Sequence, residues 1–168
     1  MKTLTYTSVT LAAAAIFLAV GVGSAAASST KISIARTNIG RVLVDGRGHT
    51  LYLFQRDARG KSTCAGACAA YWPPLIASGK PLAGAGVRQA LLGTTKRRDG
   101  RLQVTYNHHP LYGFVSDVRR GDTTGEGLNA YGGLWYAVSA AGAKTPKSDT
   151  APTTTGTGST DYGNGYDA

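Results

Sequence analysis

The chain is short of acid, of sulfur and of charge altogether. Nine Asp and Glu stand against 18 Lys and Arg, charged residues make up only 16%, and 168 residues include one Met, two Cys and three Phe. An average globular domain carries about 25% charged residues. A formal net charge of +9 excludes an acidic disordered chain. No apolar run long enough to span a bilayer follows residue 30, which excludes a multi-pass membrane protein. Also missing are Gly-x-Ser-x-Gly, His-Glu-x-x-His, Cys-x-x-Cys-His and a phosphate loop, and with them the nucleophile elbow, the zinc-protease helix, c-type haem attachment and nucleotide cradling. The single Glu, Glu126, makes no carboxylate pair for acid–base work. The chain is also too short for a large cofactor enzyme, and a non-enzymatic role is expected.

What is present begins with a leader. Residues 1–27 hold one charge, Lys2, then the apolar run 9–22, then small residues at Ala25 and Ala27. This is the layout of a signal peptide cut after Ala27, too short for a spanning helix of about 20 residues. Retention as an uncleaved anchor is the alternative. No cysteine stands at the cleavage point, so lipidation is not supported. The protein is expected to be secreted or extracytoplasmic, without a transmembrane anchor after cleavage. In an oxidising compartment Cys64 and Cys68 are expected to form a disulfide, contributing about 2 kcal/mol on the chain-entropy model. A redox or copper(I) thiol pair is the other reading. At the far end, residues 144–168 contain no Leu, Ile, Val, Phe, Met or Trp, and read as a disordered Thr/Gly-rich tail.

Between leader and tail lies an internal repeat at an offset of 60. Gly40, Arg41, Val44, His49, Leu51, Tyr52, Phe54, Asp57, Arg59, Thr63, Ala70 and Tyr71 recur as Gly100, Arg101, Val104, His109, Leu111, Tyr112, Phe114, Asp117, Arg119, Thr123, Ala130 and Tyr131, without a gap. Trp72 and Trp135 correspond after a three-residue insertion. The expected organisation is a lead-in at 28–39, unit 1 at 40–99 and unit 2 at 100–143. The expected fold is mainly β with short helical turns: two tandem β-hairpin-based repeats packed as one small pseudo-symmetric domain. Residues 42–54 read as one hairpin about an Asp/Gly turn, and 102–106 with 110–114 as the other. Alternation puts Leu51 and Leu53 on one face, Tyr52 and Phe54 on the other, so this strand is expected to be central. Helix is expected only at 68–72, stopped by Pro73 and Pro74, and at 88–92. Trp72 and Trp135 are expected in the core.

Tyr52-Leu-Phe54-Gln-Arg-Asp57 and Tyr112-Gly-Phe114-Val-Ser-Asp117 resemble the tandem Tyr-x-(Phe/Trp/Tyr)-x-x-Asp motifs of bacterial secreted repeat proteins and predicted lipoproteins of unknown function. The resemblance extends through Cys64-x-x-x-Cys68, Trp72-Pro73-Pro74, Tyr106-Asn107-x-x-Pro110 and Gly121-Asp122 to Trp135, over roughly residues 40–138. It implies an exported, envelope-associated or secreted protein with two tandem units and no established activity. Two departures stand out: the lipid-attachment cysteine is missing, and His108 occupies a position where a turn glycine is common.

Because Tyr52, Phe54, Asp57 and Tyr112, Phe114, Asp117 occur twice, they are expected to be structural, each Asp accepting backbone N–H groups or pairing with Arg59 or Arg119. Asp117, Asp122 and Glu126 share a glycine-rich loop that would suit Ca²⁺, but Arg119 and Arg120 oppose a cation there, and a solvated turn is the preferred reading. His49 and His109, as repeat equivalents, are candidate ligands for copper or another transition metal, although no cofactor is the first expectation. Lys96-Arg97-Arg98 and Arg119-Arg120, with Arg36, Arg41, Arg47, Arg56 and Arg59, make a basic surface suited to an envelope polymer or other anionic surface. No nucleic-acid motif accompanies them. The first functional expectation is an exported non-enzymatic binding or structural module of the envelope or extracellular space. The alternative is an envelope metal-binding or redox accessory protein using Cys64, Cys68 and the histidines.

Overall fold

A computed structural model describes residues 30–58 and 60–145. The leader, Arg59 and the chain after Thr145 lie outside the described residues. Among the described residues the architecture is mainly β, three small sheets with one short α-helix. Strands β1 (Lys31–Thr37) and β2 (Gly40–Val44) form a hairpin, and β4 (Leu82–Ala83) joins β1 in parallel. Strands β5 (Leu92–Lys96) and β6 (Leu102–Tyr106) form the second hairpin, extended by β7 (His109–Pro110). The third sheet sets β3 (Tyr52–Phe54) against β9 (Gly133–Ala137), with β8 (Asn129–Ala130) outside it. Helix α1 spans Ala67–Tyr71 and a 3-10 turn spans Gln89–Leu91. Pro73 and Pro74 follow α1 and bring neither backbone donors nor room for another turn.

The centre of the molecule is a local two-fold axis. The repeat equivalents Tyr52 and Tyr112 pair with each other in antiparallel fashion, exchanging both backbone hydrogen bonds at 2.8 and 3.0 Å. On the outer side of Tyr52 runs β9, and on the outer side of Tyr112 runs the Trp72–Pro74 segment, through Tyr112 against Pro74 and the Gly113 N–H to Pro73 O bond. Two rings of three backbone bonds also cross between the units. Leu43 donates to Val138 of unit 2, Val138 to Leu51 and Leu51 to Leu43, and Val104 and Leu111 close the equivalent ring through Leu75 of unit 1.

The two apolar faces read from alternation are both buried. Tyr52 and Phe54 enter a cluster with Val42, Val44, Trp72, Tyr112 and Trp135, while Leu51 and Leu53 enter another with Ile32, Leu43, Val104 and Val138. Other expectations need correction. The 28–39 lead-in is not a lead-in, because residues 31–37 form β1 and belong to unit 1 as β5 belongs to unit 2. The two hairpins do not run to 54 and 114. Residue 52 leaves β2 for β9, and residue 112 leaves β6 for its equivalent across the axis. The chain also stays folded beyond 143: Thr145 is buried, and its N–H and Oγ1 both donate to Ala137 O at 2.9 Å.

The gapless offset of 60 conceals two compensating one-residue changes. The first hairpin turn is two residues long in unit 1, where Thr37 pairs with Gly40, and three in unit 2, where Arg97 N bonds Arg101 O. The second turn is correspondingly shorter in unit 2, where Tyr106 pairs with His109 across Asn107 and His108. The structural partner of Val104 is therefore Leu43, not Val44. In that tight turn Asn107 and His108 both take positive φ, 47° and 65°, as a type I′ hairpin demands and as glycine adopts most easily. The resemblance noted this departure at His108, and the structure gives its location at the second turn position.

Candidate functional site

The strongest concentration of chemistry lies on the two-fold axis. Four rings stack in one column: Phe114 on Trp72 (4.2 Å between centroids), Trp72 on Trp135 (3.9 Å, 5° between planes) and Trp135 on Phe54 (4.1 Å). Each unit supplies its Trp and its Phe, in swapped order. Tyr52 meets the edge of Trp72 at 5.4 Å and Tyr112 that of Trp135 at 5.1 Å. Trp72 and Trp135 are fully buried.

Beside the column the conserved chemistry of the repeat crosses between units. Tyr52 donates its hydroxyl to Asp117 Oδ2 at 2.5 Å, and Tyr112 donates to Asp57 Oδ2 at 2.6 Å. The remaining oxygen of each Asp closes its own loop. Asp57 Oδ1 accepts from Thr63 N and Oγ1 at 2.7 and 2.9 Å, and Asp117 Oδ1 accepts from Thr124 N and Oγ1 at 2.9 and 2.6 Å. The loop bonds fit the expectation for these carboxylates. The cross-unit tyrosine bonds were not foreseen, and the second loop uses Thr124 where the repeat pointed to Thr123. Burial, reinforced by the facing carboxylate, pushes both phenols well above their ordinary pKa, so each remains a donor. Burial also lifts the Asp57 carboxyl above the usual range, against the pull of Tyr112 and Thr63. With both oxygens of both Asp hydrogen-bonded, this cluster ties the two units together.

The glycine-rich loop splits its carboxylates among different partners. Asp117 serves Tyr52, Asp122 Oδ2 accepts from Arg119 N at 2.8 Å, and Glu126 Oε2 accepts from Ala137 N at 2.7 Å. His49 stays in its own turn, 3.9 Å from Asp45 Oδ2. His109 lies in β7, where burial lowers its pKa against the attraction of Asp57. The antiparallel pairing of Tyr52 with Tyr112 carries these two histidines away from each other, to opposite sides of the axis. The structure does not bring them together. Cys64 and Cys68 are joined as a disulfide and buried. Among the described residues no group of three or more His, Cys, Asp or Glu is placed to hold a metal ion.

One residue that sequence reasoning treated only as part of a basic run has a place of its own. Arg97 is buried, at 8% exposure. Its Nη1 donates to Ser62 Oγ (2.7 Å) and Gln103 Oε1 (2.6 Å), and its Nη2 to Cys64 O (2.7 Å). Unit 2 thereby grips the disulfide loop of unit 1. Nothing in the run Lys96-Arg97-Arg98 distinguishes its middle residue. The alternation of β5 does so, with Thr95 and Arg97 on the inner side and Thr94, Lys96 and Arg98 exposed.

The family model described as a secreted repeat of unknown function matches the chain twice, at residues 33–76 and 93–139. Both matches start within the first strand of a hairpin, β1 or β5, and end beyond the tryptophan of the column. Among curated proteins and among solved structures nothing matches the chain. Among the described residues no helix is long and apolar enough to cross a membrane. The chain belongs to the family of secreted repeats of unknown function, and it is an extracytoplasmic protein that carries the repeat twice.

Proposed function

We propose that the protein is a non-enzymatic binding module that holds an anionic component of the cell envelope or extracellular space. One observation carries this reading: all the acids among the described residues but Asp99 are consumed by backbone or tyrosine donors, while the described arginines other than Arg97 are exposed. Asp45, Asp57, Asp117, Asp122 and Glu126 each accept hydrogen bonds from backbone or tyrosine. Among the described residues only Arg97 and Arg101 have a carboxylate, that of Asp99, within ion-pair reach. The net charge of +9 is thus displayed by a scaffold whose core is locked. Such a surface concentrates polyanions and releases them as salt screens the attraction over about 10 Å at 0.1 M.

The test is retention of the full mature chain on polyphosphate-coated and polyuronate-coated surfaces as ionic strength is raised. Retention at low salt that weakens steadily with added NaCl is expected. Passage straight through both surfaces at low salt would remove the proposal.

A further inference from the structure

Two units built on one scaffold provide an internal control: what one has and the other lacks is not demanded by the fold. Two such asymmetries meet at one place across the two-fold axis. In unit 1 the segment before the tryptophan is the disulfide loop and α1, with the Trp72 N–H on Cys68 O. In unit 2 it is the β8–β9 hairpin, with the Trp135 N–H on Leu128 O. The first hairpin turn is neutral in unit 1, where Thr37 bonds back to Gly40 O and Asn38 Oδ1 meets Thr123 Oγ1 at 2.7 Å. In unit 2 the turn is Arg97-Arg98-Asp99-Gly100-Arg101.

Where the disulfide loop of unit 1 faces the basic turn of unit 2 there is a cavity of about 440 Å³, lined by Ser62, Thr63, Gly66, Arg97, Arg98 and Arg101 among others. Its back wall carries an unfinished hydrogen-bond set. Arg97 Nε is buried without any hydrogen-bond partner. The nearest carboxylate oxygen, Asp99 Oδ2, stands 3.6 Å away, beyond bonding distance. It is held instead by Arg101 through Nε at 3.0 Å and Nη2 at 2.7 Å, which keeps Asp99 ionised with a pKa down to about 2. Three guanidinium groups and one carboxylate leave the cavity two positive charges in excess.

We propose that this cavity binds a phosphate group as its dianion. Guanidinium forks match phosphate oxygens in geometry as well as charge. A phosphomonoester, with its second pKa near 6, carries close to the two negative charges the cavity lacks. The exposed Arg98 and Arg101 take the phosphate oxygens, and the buried Arg97 guanidinium behind them adds its charge at the back wall. The inference rests on the polyanion reading, and deepens it by giving the anion a chemical class and a seat. The shared chemistry is the phosphate dianion, whether free or as an ester on an envelope glycan or lipid.

The experiment titrates the full mature chain with inorganic phosphate, glycerol phosphate and acetate while amide resonances are followed by NMR. Both phosphates are expected to shift residues 62–66 and 97–101 along a saturating curve, with acetate far weaker. Tighter binding of glycerol phosphate identifies an ester group as the natural ligand, and tighter binding of inorganic phosphate the free ion. The exposed pair Arg98→Gln and Arg101→Gln, which leaves the buried Arg97 network in place, is expected to weaken phosphate at least about tenfold. Unchanged phosphate affinity in that double variant, or shifts scattered over the surface with none at the cavity, would overturn the site. Retention on polyphosphate separates this failure from that of the parent reading. A double variant that is retained like the wild type, with no saturable phosphate shift in either protein, sinks the cavity and leaves the surface reading standing. Wild-type protein that is not retained but still saturates with phosphate sinks the surface reading and leaves the cavity as a small-anion site.

Discussion

Removing one hydroxyl from the two-fold centre tests whether the cross-unit tyrosines hold the domain together. In Tyr52→Phe the ring stays against Trp72, so packing is preserved, but Asp117 Oδ2 loses its 2.5 Å donor and the Gly125 N–H loses its acceptor at 3.3 Å. Asp117 is buried at 4% exposure, so water cannot replace the lost proton cheaply. A hydrogen bond to a charged group contributes about 1.5–3 kcal/mol, and the expected loss for Tyr52→Phe is about 2–3 kcal/mol. For a domain of this size that is roughly 10 °C in Tm. Tyr112→Phe also removes the contact with Ser62 Oγ at 2.8 Å, but it should cost less, about 1–1.5 kcal/mol, because Asp57 is only half-buried and water can replace the lost hydroxyl. Urea denaturation of the single variants, Asp117→Ala and the double variant Tyr52→Phe/Asp117→Ala gives a cycle whose coupling should be about 2 kcal/mol, with m-values unchanged. A Tyr52→Phe within about 0.5 kcal/mol of wild type, or a coupling of zero, would refute the reasoning. So would Tyr112→Phe proving the costlier of the two.

Three further outcomes follow from the same geometry. Trp135→Ala empties the middle of the ring column and should cost about 3–5 kcal/mol; an unchanged melting temperature would show that the column is not the core. Gly125→Ala should destabilise by about 1–3 kcal/mol, because its Cβ would come within 2.8 Å of Trp72 Cη2 and 2.9 Å of Tyr52 Cζ, and wild-type stability by chemical denaturation would contradict that crowding. The folded pKa of His109 lies below its ordinary value of 6.5. As pH falls from about 6.5 through the folded pKa, the unfolded chain takes up a proton that the folded chain resists, so stability falls over that window and is full above it. His109→Gln should flatten the difference between the two stability curves there, and parallel curves for variant and wild type would exclude the effect.

Much of this fold was legible because the chain states it twice. Leu51, Tyr52, Leu53 and Phe54 announced a strand buried on both faces, and Trp72 and Trp135 announced a shared core. Strand partners were less legible. Tyr52 and Tyr112 pair with each other because the axis passes between them, and a repeat reveals equivalence without revealing how equivalents meet. The candidate site was hidden for a related reason. One extra residue in the turn after Lys96 and one fewer after Tyr106 cancel in an alignment, and Arg97, which meets Ser62 and Cys64 beside the longer turn, is one of three basic residues in a row. The thiols and histidines drew attention because their side chains bind metals in many settings. Here the two cysteines bond to each other, and the two histidines sit on opposite sides of a dyad.

The exchanged tyrosine–aspartate pairs have one more consequence. A unit by itself owns a donor whose acceptor belongs to the other unit, an acceptor whose donor does too, and half of a ring column. What it lacks is what a second copy of itself would supply. The domain is thus a symmetric dimer written on a single chain, with the stretch between Ile76 and Leu92 serving as its tether. Fusion fixes the local concentration of the partner and removes any need for the halves to stay identical. Only a fused pair can give one half a disulfide and the other an arginine turn, and have them face each other at one site rather than at two.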